Sequence, residues 1–110
     1  MGYTNYWHQK NDISDANWKK IKDEYNDYIL SVAGKRIVDL SDKDTISFDG
    51  GCETFVFSKY ATKESDRRYP EEDLSFHFCK TRLALYDIFV WYLLTYINKI
   101  DPSISISRDN

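Results

Sequence analysis

Hydrophobic positions change their period several times along the chain, and each change predicts a different element. Residues 3–8 alternate in bulk and are rich in aromatic side chains, which predicts a first strand. Apolar residues then recur at helical spacing over residues 18–32, with charged residues on the other side of the helix. Ser14 is suited to cap this helix, Asp15 to complement its dipole, and Gly34 to end it.

The middle of the chain has the twofold period of strands. Two alternating segments flank an Asp-Gly-Gly sequence at 49–51, and an Asp-Gly pair in that setting is typical of a hairpin. Residues 59–73 carry charges of both signs and a proline, which predicts a solvated loop. Residues 74–79 alternate again, with Phe76 and Phe78 on one face and Cys79 on the other.

A helical period returns over residues 84–99, where the apolar positions cover a broad arc and indicate a deeply buried second helix. Asp101-Pro102 ends it, and residues 103–107 alternate as a final strand. The predicted order is β-α-β-β-β-α-β, a single α+β domain over residues 1–110. We expect a mostly antiparallel sheet of about four to five strands with two helices packed on one face.

Composition and charge narrow the class of protein. The chain has 110 residues, 42% hydrophobic and 16% aromatic, and this apolar content favours a folded domain over disorder. A formal net charge of −3 argues against binding to duplex nucleic acid, which needs a basic surface. The longest apolar run, residues 83–97, is too short and too interrupted to span a membrane, and the start of the chain is unlike a secretory signal. We therefore expect a cytoplasmic protein with reduced thiols.

The few histidines and cysteines match no metal-binding or catalytic motif. His8, Cys52, His77 and Cys79 do not have the spacing of a zinc site, so we expect no metal and no cofactor. Cys79 has His77 two residues before it and Lys80 after it, and a nearby cation can lower the pKa of a thiol. A small thiol packed behind the sheet explains Cys79 more simply, and we assign no catalytic residue.

The segment 78–82 joins a predicted strand to the second helix. Backbone N–H groups and the cations of Lys80 and Arg82 are expected to converge where this helix begins, which suits a phosphate group. In the alternative interpretation the two cations are only solvated, and Asp87 complements the helix dipole. Both interpretations remain open from the sequence.

Aromatic residues crowd the start of the chain at Tyr3, Tyr6 and Trp7. One face of this strand can serve the core while the other offers a platform on which a base stacks, although core packing alone explains two of the three rings. Arg108 and Asp109 either add polar groups at the end of the final strand or belong to a frayed tail.

Four segments in order carry a resemblance, and their matched residues are Gly2, Tyr3, Thr4, Tyr6 and Trp7; Gly51, Glu53, Thr54 and Phe55; Phe78, Cys79, Lys80, Thr81, Tyr86 and Asp87; and Ile106, Ser107 and Asp109. The chain resembles a family of small proteins encoded by tailed phages and some bacteria. It departs from that family at Leu85, where a proline is usual, and at Arg108, where a serine is usual. The family has no settled activity, so the resemblance implies a phage context and the cytoplasm of an infected host rather than a reaction.

Most matched residues fall at strand ends or at the strand-to-helix junction, which predicts one pocket for a nucleotide-like ligand. Its expected lining is Tyr3, Tyr6, Trp7, Glu53, Thr54, Lys80, Thr81, Arg82, Tyr86 and Asp87. Phosphate is expected on Lys80 and Arg82, the base on Trp7 or a tyrosine, and the ribose on Glu53.

The predicted function is sequestration of a nucleotide-derived signalling molecule, which in a phage protein counters host defence. One alternative is a protein-interaction module that inhibits or adapts a host or phage protein. The other is a nucleotide phosphodiesterase or hydrolase with His77 or Glu53 as base. The uncovered edge of the final strand also favours pairing between copies, so a homo-oligomer is expected.

Overall fold

The computed structural model describes residues 3–109 and confirms an α+β fold. Gly2, the first residue of the matched N-terminal segment, lies outside the described residues. The strands and α-helices are β1 (Thr4–His8), α1 (Asp15–Glu24), α2 (Leu30–Ala33), β2 (Val38–Asp39), β3 (Thr45–Asp49), β4 (Phe55–Ser58), β5 (Phe76–Lys80), α3 (Asp87–Ile100) and β6 (Ser105–Arg108).

The six strands divide into two antiparallel sheets, whereas the sequence predicted one sheet of four to five strands. The first sheet has the order β5-β1-β6 and the second the order β2-β3-β4. Two features explain the difference. The short strand β2 had no clear signal in the sequence, and β4 and β5 form no ladder with each other. Strands β4 and β5 therefore each lie at an edge of their own sheet.

The first helix begins and ends where the sequence predicted. The Ser14 hydroxyl accepts a hydrogen bond from the Asn17 N–H at 3.2 Å, which confirms the N-cap. The helix passes from α1 through a π-helical turn at Tyr25–Ile29 into α2. Gly34, with φ of 54°, then ends it because this backbone conformation suits glycine.

A shared aromatic core joins the two sheets and the helices. The ring of Trp7 on β1 lies 5.3 Å from Phe55 and 6.1 Å from Phe57 on β4. The α1 residue Trp18 stacks on Phe57, and α3 packs against β1, β6 and α1. Both helices therefore close the core that the two sheets share.

The predicted β3–β4 hairpin is confirmed, and its turn packs directly on the chain before α3. A Cβ atom on Gly50 would overlap the ring of Tyr86, so this position requires glycine. Helix α3, which is the second helix of the sequence prediction, begins at Asp87, three residues later than predicted. Arg82 and Leu83 have φ of 54° and 58° and so cannot belong to the helix. Residues 84–86 form a turn before it, in which the Asp87 N–H donates to the Ala84 carbonyl at 2.8 Å.

Candidate functional site

A buried polar cluster forms where β1, β5, β6 and α3 meet, and Asp87 is its centre. One oxygen of its carboxylate accepts hydrogen bonds from Asn5 Nδ2 at 2.8 Å and from Thr81 Oγ1 at 2.6 Å. The other oxygen pairs with the guanidinium of Arg108. Asp87 is only 4% exposed and occupies the first position of α3, so the start of this helix already holds an anion from the protein itself.

Arg108 and Asp109 are bound to this cluster, and the frayed-tail interpretation is wrong for these two residues. The guanidinium of Arg108 lies between the rings of Tyr3 and Trp91, at 4.8 and 4.7 Å. Asp109 accepts hydrogen bonds at 3.0 Å from the Thr4 N–H and from the Tyr6 hydroxyl. Arg108 thus supplies the counter-ion of Asp87.

The backbone N–H groups of Lys80, at the end of β5, and of the two residues after it are engaged within the chain rather than free for a phosphate. The N–H of Lys80 donates to Glu53 Oε1 at 2.7 Å. Those of Thr81 and Arg82 both donate to the carbonyl of Tyr3, at 2.8 and 3.3 Å. The expected cradle of N–H groups is therefore not formed. The Lys80 and Arg82 side chains are exposed, and neither takes part in an ion pair within residues 3–109.

The structure distributes the predicted pocket residues over several places. Four are buried by the protein itself: Trp7, Thr81, Tyr86 and Asp87. Tyr86 donates its hydroxyl to the Glu53 carbonyl at 2.7 Å, so its ring and polar end both have partners. The other six keep accessible surface: Tyr3, Tyr6, Glu53, Thr54, Lys80 and Arg82.

An uncovered row of aromatic rings lies on the outer side of the first sheet. Tyr6 stacks on Phe76 with ring centroids 5.9 Å apart, and Phe76 in turn lies 6.0 Å from Phe78 and 5.2 Å from His8. Phe76 is 39% and Phe78 52% exposed. We call Tyr6, His8, Phe76 and Phe78 the aromatic face. The alternation of residues 74–79 placed the two phenylalanines together but did not show that their side stays uncovered.

A groove of about 350 Å³ separates β4 from β5, and we call it the inter-sheet groove. Trp7 and Gln9 contribute to its floor, Thr54 and Val56 to its β4 side, and the segment Phe76–Phe78 to its β5 side. Of the predicted pocket residues, only Trp7 and Thr54 line it. No local sequence pattern indicates the groove, because it arises from the separation of the two sheets.

His77 and Cys79 lie on the inner side of β5 and lack the properties of an activated pair. The ring of His77 stacks on Trp7 at 5.7 Å, and burial lowers its pKa, so it is neutral at pH 7. Cys79 is almost fully buried, and burial raises the pKa of its thiol to about 12. The thiolate needed for nucleophilic attack is therefore disfavoured, and the buried-thiol interpretation fits the structure.

Comparison with known proteins adds no assignment. No protein-family model matches the chain, and no curated protein or solved structure shows significant similarity to it. Between residues 3 and 109, no three His, Cys, Asp or Glu side chains are grouped to hold a metal ion. No helix in the same range has the length and apolar character needed to cross a membrane.

We expect Asp87→Ala to lower the free energy of unfolding by about 3 kcal/mol, because it leaves the buried donors of Asn5, Thr81 and Arg108 without their acceptor. The value is at the low end for a broken buried ion pair because the Arg108 side chain is 25% exposed. Urea unfolding of this variant and of Asp27→Ala, an exposed carboxylate without an ion pair in the described residues, measures the difference. Equal, small losses would contradict the assigned role of Asp87.

We expect Cys79 to resist alkylation in the native protein at about pH 8, while the half-buried Cys52 reacts. Because the pKa of the Cys79 thiol is raised by folding, the unfolded chain releases this proton first. The stabilisation is complete below about pH 9 and is lost as the pH rises towards 12. Mass spectrometry of alkylated protein, with and without denaturing urea, counts the reactive thiols. Equal reaction of both cysteines in the native state would contradict the prediction.

Proposed function

We propose that the protein binds a nucleotide-class ligand by stacking its base on the aromatic face. The observation that carries the proposal is the exposure of Phe76 and Phe78 in a continuous row with Tyr6 on an uncovered sheet. Stacking of a base on an aromatic ring contributes about 1–3 kcal/mol and tolerates any base. In this proposal the base no longer contacts Trp7, because that ring is only 3% exposed.

The cations next to the aromatic face support a phosphorylated ligand. Lys80 follows Phe78 by two residues on β5, so strand alternation places both on the same side of the sheet. Arg82 is exposed in the turn that follows. Glu53 uses Oε1 to accept the N–H of Lys80, while its Oε2 accepts no hydrogen bond within residues 3–109 and suits a ribose hydroxyl. A phosphate attached to a stacked nucleoside therefore meets two cations whose side chains form no ion pair within residues 3–109.

Binding without conversion is the activity that this surface supports. The buried Cys79 thiol and the neutral His77 lie on the inner side of the sheet, away from the aromatic face. Neither supplies an attacking group or a proton acceptor beside a stacked nucleotide. Together with the resemblance to phage proteins, this supports sequestration of a nucleotide signal in the host cell, which removes the signal on which a defence response depends.

We expect the purified protein to deplete at least one compound from a panel of cyclic oligonucleotides, cyclic ADP-ribose isomers and ordinary nucleotides. Chromatography of the small-molecule fraction before and after heating should show the compound returning intact. Phe78→Ala removes the most exposed ring of the face and should weaken retention about tenfold or more, and Lys80→Glu should do the same by repelling phosphate.

Ile88→Ala and Lys35→Glu are the controls. The first shortens an exposed apolar side chain and the second reverses an exposed positive charge, both away from the aromatic face. They should retain the compound as the unchanged protein does. A panel from which nothing is depleted would overturn the proposal. A compound that returns cleaved would instead establish the hydrolase alternative, with Glu53 and His77 as the next positions to change.

A further inference from the structure

We propose that the free edge of β6 pairs with the same edge of a second copy of the chain, which joins two β5-β1-β6 sheets into one sheet of six strands. The two β6 strands run antiparallel about a twofold axis at Ser107. This pairing gives the homo-oligomer expected from the sequence a defined contact, and it does not rest on nucleotide binding.

The register with β1 determines which peptide groups of β6 face its free edge. The N–H of Asp109 donates to the carbonyl of Thr4 at 3.1 Å, so Asp109 directs its peptide groups towards β1. This direction alternates along a strand, so Ser107 also faces β1, whereas Ile106 and Arg108 direct their N–H and C=O groups to the free edge. Within residues 3–109 no backbone group of a loop or helix supplies these four groups with a partner.

The free groups of β6 are complementary to themselves. In an antiparallel pair, residues directly opposite each other exchange two hydrogen bonds at every second position. When Ser107 lies opposite Ser107 of the second copy, Ile106 of each chain lies opposite Arg108 of the other. The four free groups of each copy are then all paired across the interface. The small serine side chain suits the axis, where the Cα atoms of a pair without hydrogen bonds approach to about 4.5 Å.

The other strand edges within residues 3–109 are less suited to a second copy. β4 and β5 are held to each other at one end by the backbone hydrogen bond of Glu53 and Lys80 and at the other by Gln9. β2 has only two residues, which offer too few peptide groups for a ladder. β6 has four residues, and its one charged side chain, Arg108, is held on the inner side of the sheet by Asp87. The edge of β6 therefore lacks the outward charges and prolines that usually prevent strands from pairing.

The proposed axis also determines which surfaces of the two copies come together. A twofold axis between antiparallel strands is perpendicular to the sheet and keeps corresponding faces on the same side. The two α3 helices lie on one side, where Trp91 of each copy covers Arg108 next to the edge and keeps accessible surface. The two aromatic faces lie on the other side. The β1 strands that carry Tyr6 are then three strand spacings apart, about 14 Å.

Opposite charges at position 107 test both the contact and its axis. Ser107→Lys and Ser107→Glu each bring two like charges together at the axis, so either variant alone should dimerise about threefold or more weakly than the unchanged protein. In an equal mixture the opposite charges meet, and the heterodimer should predominate. Native mass spectrometry, with one variant labelled with ¹⁵N, measures the share of heterodimer.

Ser105→Lys and Ser105→Glu are the matched controls, because Ser105 is exposed on the same side of the same strand. In the proposed register this position lies opposite Asp109 of the second copy rather than opposite itself. Their mixture should therefore contain only the statistical share of heterodimer.

A second measurement uses the unchanged protein, so that no substitution decides the result. Light scattering on dilution should show a change from two chains to one. The amide exchange of Ile106 and Arg108 should slow as the protein concentration rises, while that of Ser107, which already faces β1, should change little.

Three results would overturn the proposal. A chain that stays monomeric up to about 1 mM would leave this edge to another protein. A dimer that forms equally well in both Ser107 variants would use another surface, and a statistical mixture of these variants would exclude the axis at Ser107. All of these readouts are taken without nucleotide, so failure of either proposal does not imply failure of the other.

Discussion

The arrangement of the molecule depends on how β4 and β5 are held together without forming a ladder. A backbone hydrogen bond between Glu53 and Lys80 joins them at one end, and the Gln9 residue bridges them at the other. Buried backbone groups must be paired, whereas the strand registers direct the N–H and C=O groups of Val56 and Phe78 away from β3 and β1 and towards the groove. The inter-sheet groove is a direct consequence of this incomplete junction.

The interior compensates for the missing ladder. Trp7 packs on Phe55 and Phe57, so one aromatic core serves both sheets. At the first sheet, the carboxylate of Asp87 connects the start of α3 to Arg108 at the end of β6. These contacts hold the scaffold from within and leave Phe76 and Phe78 of the aromatic face exposed.

Local signals were enough to predict the elements of this fold but not their assembly. Ser14, Gly34 and the glycines at 49–51 act within a few residues, and the structure confirms the cap, the helix end and the hairpin. The division into two sheets depends on pairing of β1 with two strands from the other end of the chain, for which the sequence carries no register signal. Nothing in the sequence indicated the left-handed backbone of Arg82, and the turn that it forms does not present the N–H groups expected to bind a phosphate.

Residue-resolved amide hydrogen exchange of the free protein tests most directly whether the junction between the two sheets is open. We expect the N–H groups of Val56 and Phe78 to exchange about a hundredfold faster than those of Phe57 and Cys79, which face β3 and β1. Equal protection of all four would show that β4 and β5 are joined by a continuous ladder. In that case the inter-sheet groove would have no place in the structure.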